Sequence, residues 1–188
     1  MKTKQFLIIA FAIVAVLQAA APLKMIYDSE MTERHGTEYK FRTAPIDPID
    51  PFRGKYITLD YDINAIPTKD TTWLRNEKIY VSIAKDADGF AKVSNVSREK
   101  PESGDYVFTK VTYYYTDDLH INLPFDRYYM EESKAYDAEV AYRKYNSNPD
   151  KFKPTYAIVA LKDGNAVLKD VIIDGMPIKE YVVKNQRK

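Results

Sequence analysis

Two short charged segments contain the residues whose types and spacing could do chemistry. In the first, Asp47 and Asp50 each stand directly before a proline, and Arg53 follows three residues after Asp50. A residue before proline is restricted to extended conformations, so the two carboxylates are held stiffly. Beside a guanidinium they could coordinate a cation or grip a substrate. The alternative is structural: Arg53 bridges the aspartates and caps a turn ahead of the next strand, since Asp-Pro steps are common in turns.

The second segment places acidic, basic and phenolic side chains close together: Asp126, Arg127, Tyr129 and Glu131. Glu131 stands at the start of a predicted helix, where the helix dipole alone explains an acidic residue. Arg127 could pair with Asp47 or Asp50 if the two segments meet in space. A cleft formed by residues 47–56, which include Tyr56, and residues 124–132 is therefore the sharpest site hypothesis.

Such a cleft would suit a small-ligand binder or a hydrolase. Paired carboxylates across an aromatic-lined groove can hydrolyse glycosides, and the chain has 16 tyrosines, although such enzymes usually need larger scaffolds. A serine-lysine pair remains an alternative, but no serine stands in a recognisable nucleophile context, so we assign no catalytic residue. The candidate ligand- or partner-binding residues are Asp47, Asp50, Arg53, Tyr56, Asp126, Arg127, Tyr129 and Glu131.

Composition excludes several other classes of chemistry. The chain has no cysteine, which removes disulfides, thiolate metal sites and thiol nucleophiles. Its two histidines, His35 and His120, are isolated in the sequence, so we predict no metal site. There is no glycine-rich phosphate loop, and we predict no cofactor. With 28 basic and 27 acidic side chains, the chain gives no electrostatic reason to expect a nucleic-acid partner.

The N-terminal region predicts a transmembrane or signal helix. Met1 to Gln5 is short and basic, and the chain is almost continuously apolar from Phe6 to Leu23. We favour an uncleaved anchor over residues 1–26, because about 20 apolar residues suffice to cross a bilayer. The alternative is a signal peptide cleaved near Ala19-Ala20-Ala21. In either case the basic start favours a cytoplasmic N-terminus and an exported C-terminal domain.

Residues 27–37 are predicted to extend the anchor as a helical stalk, which Gly36 ends. Residues 38–188 are predicted to form one β-rich domain. Its clearest period-two alternation places Ile57, Leu59 and Tyr61 on one strand face. Strand segments at intervals of about 8 to 12 residues indicate a mainly β (α+β) fold, a small barrel or sandwich. One soluble helix is predicted at Glu131–Tyr145.

Local signals place turns and a loop within this domain. Asp163-Gly164 and Asp174-Gly175 are strong hairpin-turn signals. The strands are then expected to continue into a closing segment around Tyr181. The loop that precedes the strand at Ile79 is expected to fold Trp73 and Leu74 back as a plug.

The spacing of Gly54, Tyr56, Leu59 and Tyr61, Gly-x-Tyr-x-x-Leu-x-Tyr, resembles the signature of the GDYXXLXY protein family. The likeness extends to residues 47–53, 123–132 and 160–174. The family's aspartate is Lys55 here, so a role that requires a carboxylate at that position does not carry over. The resemblance implies a bacterial chain with an exported or membrane-anchored β-rich domain, often encoded beside a multi-spanning membrane protein. It implies no established biochemical activity.

We therefore expect a single-pass protein of the inner membrane with a periplasmic domain, or an exported domain if the leader is cleaved. The leading hypothesis is a non-catalytic domain that binds or supports a multi-spanning membrane partner. The alternative is the small-ligand binder or hydrolase that uses the Asp/Arg/Glu cleft.

Overall fold

The computed structural model describes residues 2–44, 56–129 and 155–186. The predicted helix Glu131–Tyr145 lies outside these residues, as does Lys55. In chain order the elements are α1 (Lys2–His35), β1 (Thr37–Ala44), β2 (Tyr56–Thr58), β3 (Asp60–Tyr61), β4 (Ala65–Pro67), β5 (Lys78–Lys85), β6 (Ala91–Ser97), β7 (Tyr106–Tyr115), β8 (Asp118–Ile121), β9 (Arg127–Tyr129), β10 (Thr155–Lys162), β11 (Asn165–Ile173), β12 (Met176–Pro177) and α2 (Ile178–Gln186). A turn of 3-10 helix, Asp62–Asn64, joins β3 to β4.

α1 contains both the predicted anchor and the predicted stalk. Its apolar side chains between Phe6 and Leu23 are exposed, with Phe11 at 75% and Val16 at 68%. Within the described residues it is the one helix long and apolar enough to cross a membrane. Its 34 residues span about 51 Å, against about 30 Å of bilayer hydrocarbon. An N-terminal apolar helix compatible with a membrane anchor or a signal is thus present, as predicted.

The last turns of α1 pack against the domain. Thr32 is only 1% exposed, and its hydroxyl donates to the Asp28 carbonyl at 2.8 Å. A Cβ on Gly36 would lie 2.9 Å from the Leu161 carbonyl oxygen and 3.2 Å from the Cβ of Ala160. Only glycine therefore permits this close approach to β10. The residues predicted as a stalk are in contact with the sheet at their C-terminal end.

Two five-stranded sheets surround one core. Their strand orders are β12-β11-β10-β1-β3 and β4-β8-β7-β5-β6, and β2 and β9 form a separate two-stranded ribbon. Isolated parallel bridges, Lys40 with Phe90 and Val107 with Gly164, join the two large sheets. The result is a mainly β fold with a nearly closed, barrel-like sheet. This confirms the predicted fold class.

The predicted inward face of the first motif is buried in that core. Ile57, Leu59 and Tyr61 are 1–2% exposed and belong to the same buried core cluster as Val81 and Val159, one from each large sheet. The side-chain period of two in a strand explains why sequence alternation alone identified this face.

The two aspartate-glycine turns occur where they were predicted. Asp163 and Gly164 have φ angles of 53° and 85°, and Asp174 and Gly175 have φ angles of 54° and 76°. Positive φ at both central residues is the geometry of a two-residue hairpin turn whose twist matches the flanking strands.

The C-terminal segment and the loop that contains Trp73 and Leu74 differ from what the sequence predicted. β12 is only two residues long, and the chain then forms α2 instead of a closing strand. Ile178 and Tyr181 are buried at 0% and 7%, and their spacing of three residues is helical. Of the predicted plug, Trp73 packs against the core, whereas Leu74 is 70% exposed.

We predict that Gly164→Ala destabilises the protein more than Gly89→Ala. Both glycines have positive φ, 85° and 81°, so each alanine variant should lose about 1–2 kcal/mol from the left-handed backbone. A Cβ on Gly164 would also lie 2.5 Å from the Tyr106 ring, whereas nothing lies within 4 Å of one on Gly89. This clash should add about 1–3 kcal/mol. Urea unfolding of the full chain in mild detergent, followed by Trp73 fluorescence, measures the difference; equal losses would contradict it.

Candidate functional site

Tyr56, at the end of the first segment, meets residues of the second segment in the two-stranded ribbon. β2 and β9 are antiparallel, with Tyr56 opposite Tyr129, Ile57 opposite Tyr128 and Thr58 opposite Arg127. The pairing continues beyond the strands, because the Leu59 amide donates to the Asp126 carbonyl at 2.7 Å. Of the eight candidate residues, the structure therefore brings together four: Tyr56, Asp126, Arg127 and Tyr129. The other four lie outside the described residues: Asp47, Asp50, Arg53 and Glu131.

The inner face of this region is structural. The Phe41, Tyr61 and Phe125 rings meet with centroid separations of 5.8, 4.9 and 5.3 Å, all in edge-to-face arrangements. Such pairs add about 0.5–1.5 kcal/mol each beyond the area they bury. The Tyr61 hydroxyl donates to the Phe125 carbonyl at 2.9 Å. The last two positions of the signature, Leu59 and Tyr61, are therefore core residues.

The outer face carries an exposed group of side chains, which we call the Tyr–Arg patch: Tyr56, Arg127 and Tyr129. The Tyr56 and Tyr129 rings lie 5.4 Å apart, and Tyr129 is 62% exposed. The Arg127 guanidinium lies 5.1 Å from the centre of the Tyr56 ring. A hydrogen bond with Tyr129, followed by the charges of Tyr56 and Asp126, raises the pKa of Arg127.

The chemistry open to this patch is recognition. A guanidinium presents planar donors to a carboxylate, a phosphate or a backbone carbonyl, and flanking phenol rings add apolar contact area. Arg127 forms an ion pair with Asp126 at 3.9 Å, and both side chains are about half exposed. Part of the Arg127 guanidinium is therefore open to solvent. Because the pKa of Arg127 is raised, the group stays protonated and does not act as a base.

A partly buried hydrogen bond links the ribbon to β11, and the sequence analysis did not predict it. The Tyr128 hydroxyl donates to Oδ1 of Asp170 at 2.8 Å, and the same oxygen accepts the amide of Val171. The Lys179 amine lies 5.5 Å from the Tyr128 ring. The available signal was an aspartate within the apolar run of β11, because a carboxylate in such a place needs a partner.

Two further clusters of charged side chains were not predicted from the sequence. In each cluster, two carboxylates bind one arginine. Arg98 bonds Glu77 at 2.6 Å and Asp70 at 3.1 Å, and its guanidinium lies 4.0 Å from the Trp73 ring. The hydrogen bonds from Thr72 and Arg98 lower the pKa of Asp70 to about 2. These contacts attach the loop before β5 to the end of β6.

The second arginine lies across the interface between β1 and the β5–β6 hairpin. Arg42 bonds Asp86 at 2.7 Å and Asp88 at 3.5 Å, and its guanidinium lies 4.0 Å from the Phe90 ring. Both arginines are thus bound by two carboxylates and one aromatic ring. We call each such arrangement an arginine cage.

Across the described ranges, no group of three or more histidine, cysteine, aspartate or glutamate side chains could hold a metal ion. His35 ends α1, and His120 lies in β8.

The model of the GDYXXLXY protein family matches residues 18–171. The match begins inside α1 and ends inside β11, so it includes both charged segments and the ribbon. No curated protein and no solved structure matches the chain.

We predict that Tyr61→Phe costs about 1–2 kcal/mol of unfolding free energy. The substitution leaves the buried Phe125 carbonyl without the hydroxyl that donates to it. Tyr129→Phe removes a hydroxyl from an exposed ring, and it should cost less than about 0.5 kcal/mol. Urea unfolding compares the two variants. A larger loss for Tyr129→Phe than for Tyr61→Phe would show that the signature tyrosine is not a core residue.

We also predict a loss of stability above about pH 10, the ordinary pKa of tyrosine. Burial, followed by a hydrogen bond to Asp105, raises the pKa of Tyr39 to about 12. Burial and the bond to Asp170 raise the pKa of Tyr128 further. Between the unfolded and folded pKa values the unfolded chain binds fewer protons, so the unfolding free energy falls as pH rises.

Replacing Tyr39 and Tyr128 together with phenylalanine should make that fall shallower. The variant retains both rings but neither raised pKa. Urea unfolding measured at several pH values between 8 and 11 gives the slopes, with the exposed-site variant Tyr115→Phe as the control. A slope unchanged in the double variant would contradict the assignment.

Proposed function

The chain belongs to the GDYXXLXY family, and from that premise we propose that it is a membrane-tethered, non-catalytic domain that binds a multi-spanning protein of the inner membrane. The observation that carries the proposal is α1, whose apolar surface is exposed and which leads directly into the β domain. An apolar surface of this length is stable in lipid and unfavourable in water. Lys2 and Lys4 precede it, which favours a cytoplasmic N-terminus and a periplasmic domain.

The contact between α1 and β10 supports a site of action near the bilayer. About 31 Å of helix, residues 6–26, is enough to cross the hydrocarbon, and Thr32 already packs on the domain. The domain is then held within a few helical turns of the membrane surface. A partner whose loops emerge at that surface would be within reach.

The Tyr–Arg patch is the surface that we assign to the partner. Tyrosine and arginine are enriched among the residues that dominate interface energies, because each combines contact area with hydrogen bonding. The ribbon that carries Tyr56, Arg127 and Tyr129 is fixed from below by Tyr61 and Tyr128. A patch on a fixed ribbon loses little conformational entropy on binding.

A small-ligand binder or hydrolase is the second candidate. It is favoured by the position of Arg127 beside Tyr56 in the ribbon, because Tyr56 directly follows the segment that contains Asp47, Asp50 and Arg53. On that hypothesis Asp47, Asp50, Arg53 and Glu131 would supply the remaining charges of the cleft.

We predict that affinity purification of the full chain in mild detergent recovers a multi-spanning membrane protein, and that Arg127→Ala and Tyr129→Ala each reduce its recovery about tenfold. Tyr115→Ala is the matched control, since Tyr115 is 71% exposed and lies in β7, outside the patch. N-terminal sequencing of the same material should give Met1 for a retained anchor, or a new N-terminus near Ala19 for a cleaved signal.

Reproducible absence of a membrane partner would overturn the proposal. Recovery that falls equally in the Tyr115 control would overturn the assigned surface. Loss of a small-molecule activity in Arg127→Ala, with recovery of the partner unchanged, would favour the second candidate.

A further inference from the structure

A groove of about 460 Å³ lies beside the Asp62–Asn64 turn, at the hairpin formed by β7 and β8. We propose that it binds a guanidinium group from outside the chain. This inference is independent of the membrane partner proposed above, since the groove would bind the group whether or not that partner exists.

The groove is lined on one side by hydrogen-bond acceptors. Asp60 and Asp62 contribute carboxylates, and Asn64 contributes its amide. The amide nitrogen of Asn64 donates to Oδ1 of Asp60. The amide oxygen of Asn64 is buried, and no donor to it occurs in the described part of the chain. A buried acceptor without a donor is unfavourable.

Two aromatic rings also line the groove. The Tyr113 and His120 rings are stacked, with centroids 4.2 Å apart and an interplanar angle of 19°. They are direct cross-strand partners beside the irregularity between Val111 and Tyr113. Tyr113 is 49% exposed, so its ring is accessible. The face of an aromatic ring attracts cations, and arginine in particular stacks on it.

The same set of groups already binds guanidinium twice in this protein. In the arginine cages, Arg42 and Arg98 each contact two carboxylates and one ring at 4.0 Å. The groove repeats this combination with Asp60, Asp62 and Tyr113. Within the described residues, however, no lysine or arginine lines it. In the described part of the chain, the groove thus has the composition of an arginine cage without the arginine.

The charge of the groove and the number of its acceptors favour a guanidinium ligand. Two carboxylates disfavour an anion, and a guanidinium offers five N–H donors in one plane to acceptors that surround it. The volume exceeds that of the group itself, which leaves room for an attached chain. The guanidinium could belong to a free small molecule or to an arginine side chain of another protein, and the same chemistry would recognise either.

The test is a titration of the full chain in mild detergent with N-acetyl-arginine amide, observed by saturation-transfer NMR. N-acetyl-citrulline amide is the matched probe, because it has nearly the same shape without the charge. We expect saturable binding of the arginine probe, and binding of the citrulline probe at least about tenfold weaker. Raising the salt concentration should weaken the arginine binding, since the groove is open to solvent.

Variants locate the binding in the groove. Asp62→Asn should weaken the arginine probe about fivefold, and Tyr113→Leu, at a half-exposed position, should weaken it independently. Asp163→Asn is the charge-matched control, because Asp163 is exposed, lies in the β10–β11 turn and has the positive φ that asparagine tolerates. Its affinity should equal that of the unmodified chain.

Three outcomes would overturn the proposal: no saturable binding of the arginine probe, equal binding of the citrulline probe, or equal affinities of Asp62→Asn and Asp163→Asn. A parallel titration with free arginine separates the two sources. Equal affinity for free arginine and the blocked amide indicates that the side chain alone is recognised, as from a protein. Tighter binding of free arginine indicates a small-molecule ligand.

Discussion

The antiparallel pairing of β2 with β9 is the constraint on which much of the structure depends. It joins residues about 70 positions apart in the chain, across a segment that contains β3 to β8. Its register is specified strongly, because a shift of one residue would turn Ile57 outward and the neighbouring polar side chains inward. The core aromatic group around Tyr61 and the bond from Tyr128 to Asp170 both rely on that register. In a chain without cysteine, such non-local packing takes the place of covalent cross-links.

Local features of the fold were predictable from sequence, and features that depend on distant partners were not. Alternation identified the face of Ile57, Leu59 and Tyr61, and the aspartate-glycine pairs identified two turns, because each signal is contained within a few residues. The prediction of a further strand near the C-terminus was wrong, and the reason is local. Ile178 and Tyr181 have helical spacing, but the preceding hairpin favoured a further strand.

The candidate site likewise has features that the sequence predicted and features that it did not. Sequence singled out Tyr56, Arg127 and Tyr129 by residue type, yet no local signal could place them on one face. The bond from Tyr128 to Asp170 joins β9 to β11 across 42 positions of the chain. Its geometry exists only once these two strands have come together, so a sequence read segment by segment does not contain it.

The junction at Gly36 has a mechanical consequence. A single residue separates the end of α1 from β1, and it is wedged against Leu161 and Ala160 of β10. A tethered domain with a long linker can rotate freely above its anchor, whereas this junction leaves little slack. If α1 spans a bilayer as we propose, a change in its tilt would be passed directly to β1 and β10, and so to the orientation of the whole domain.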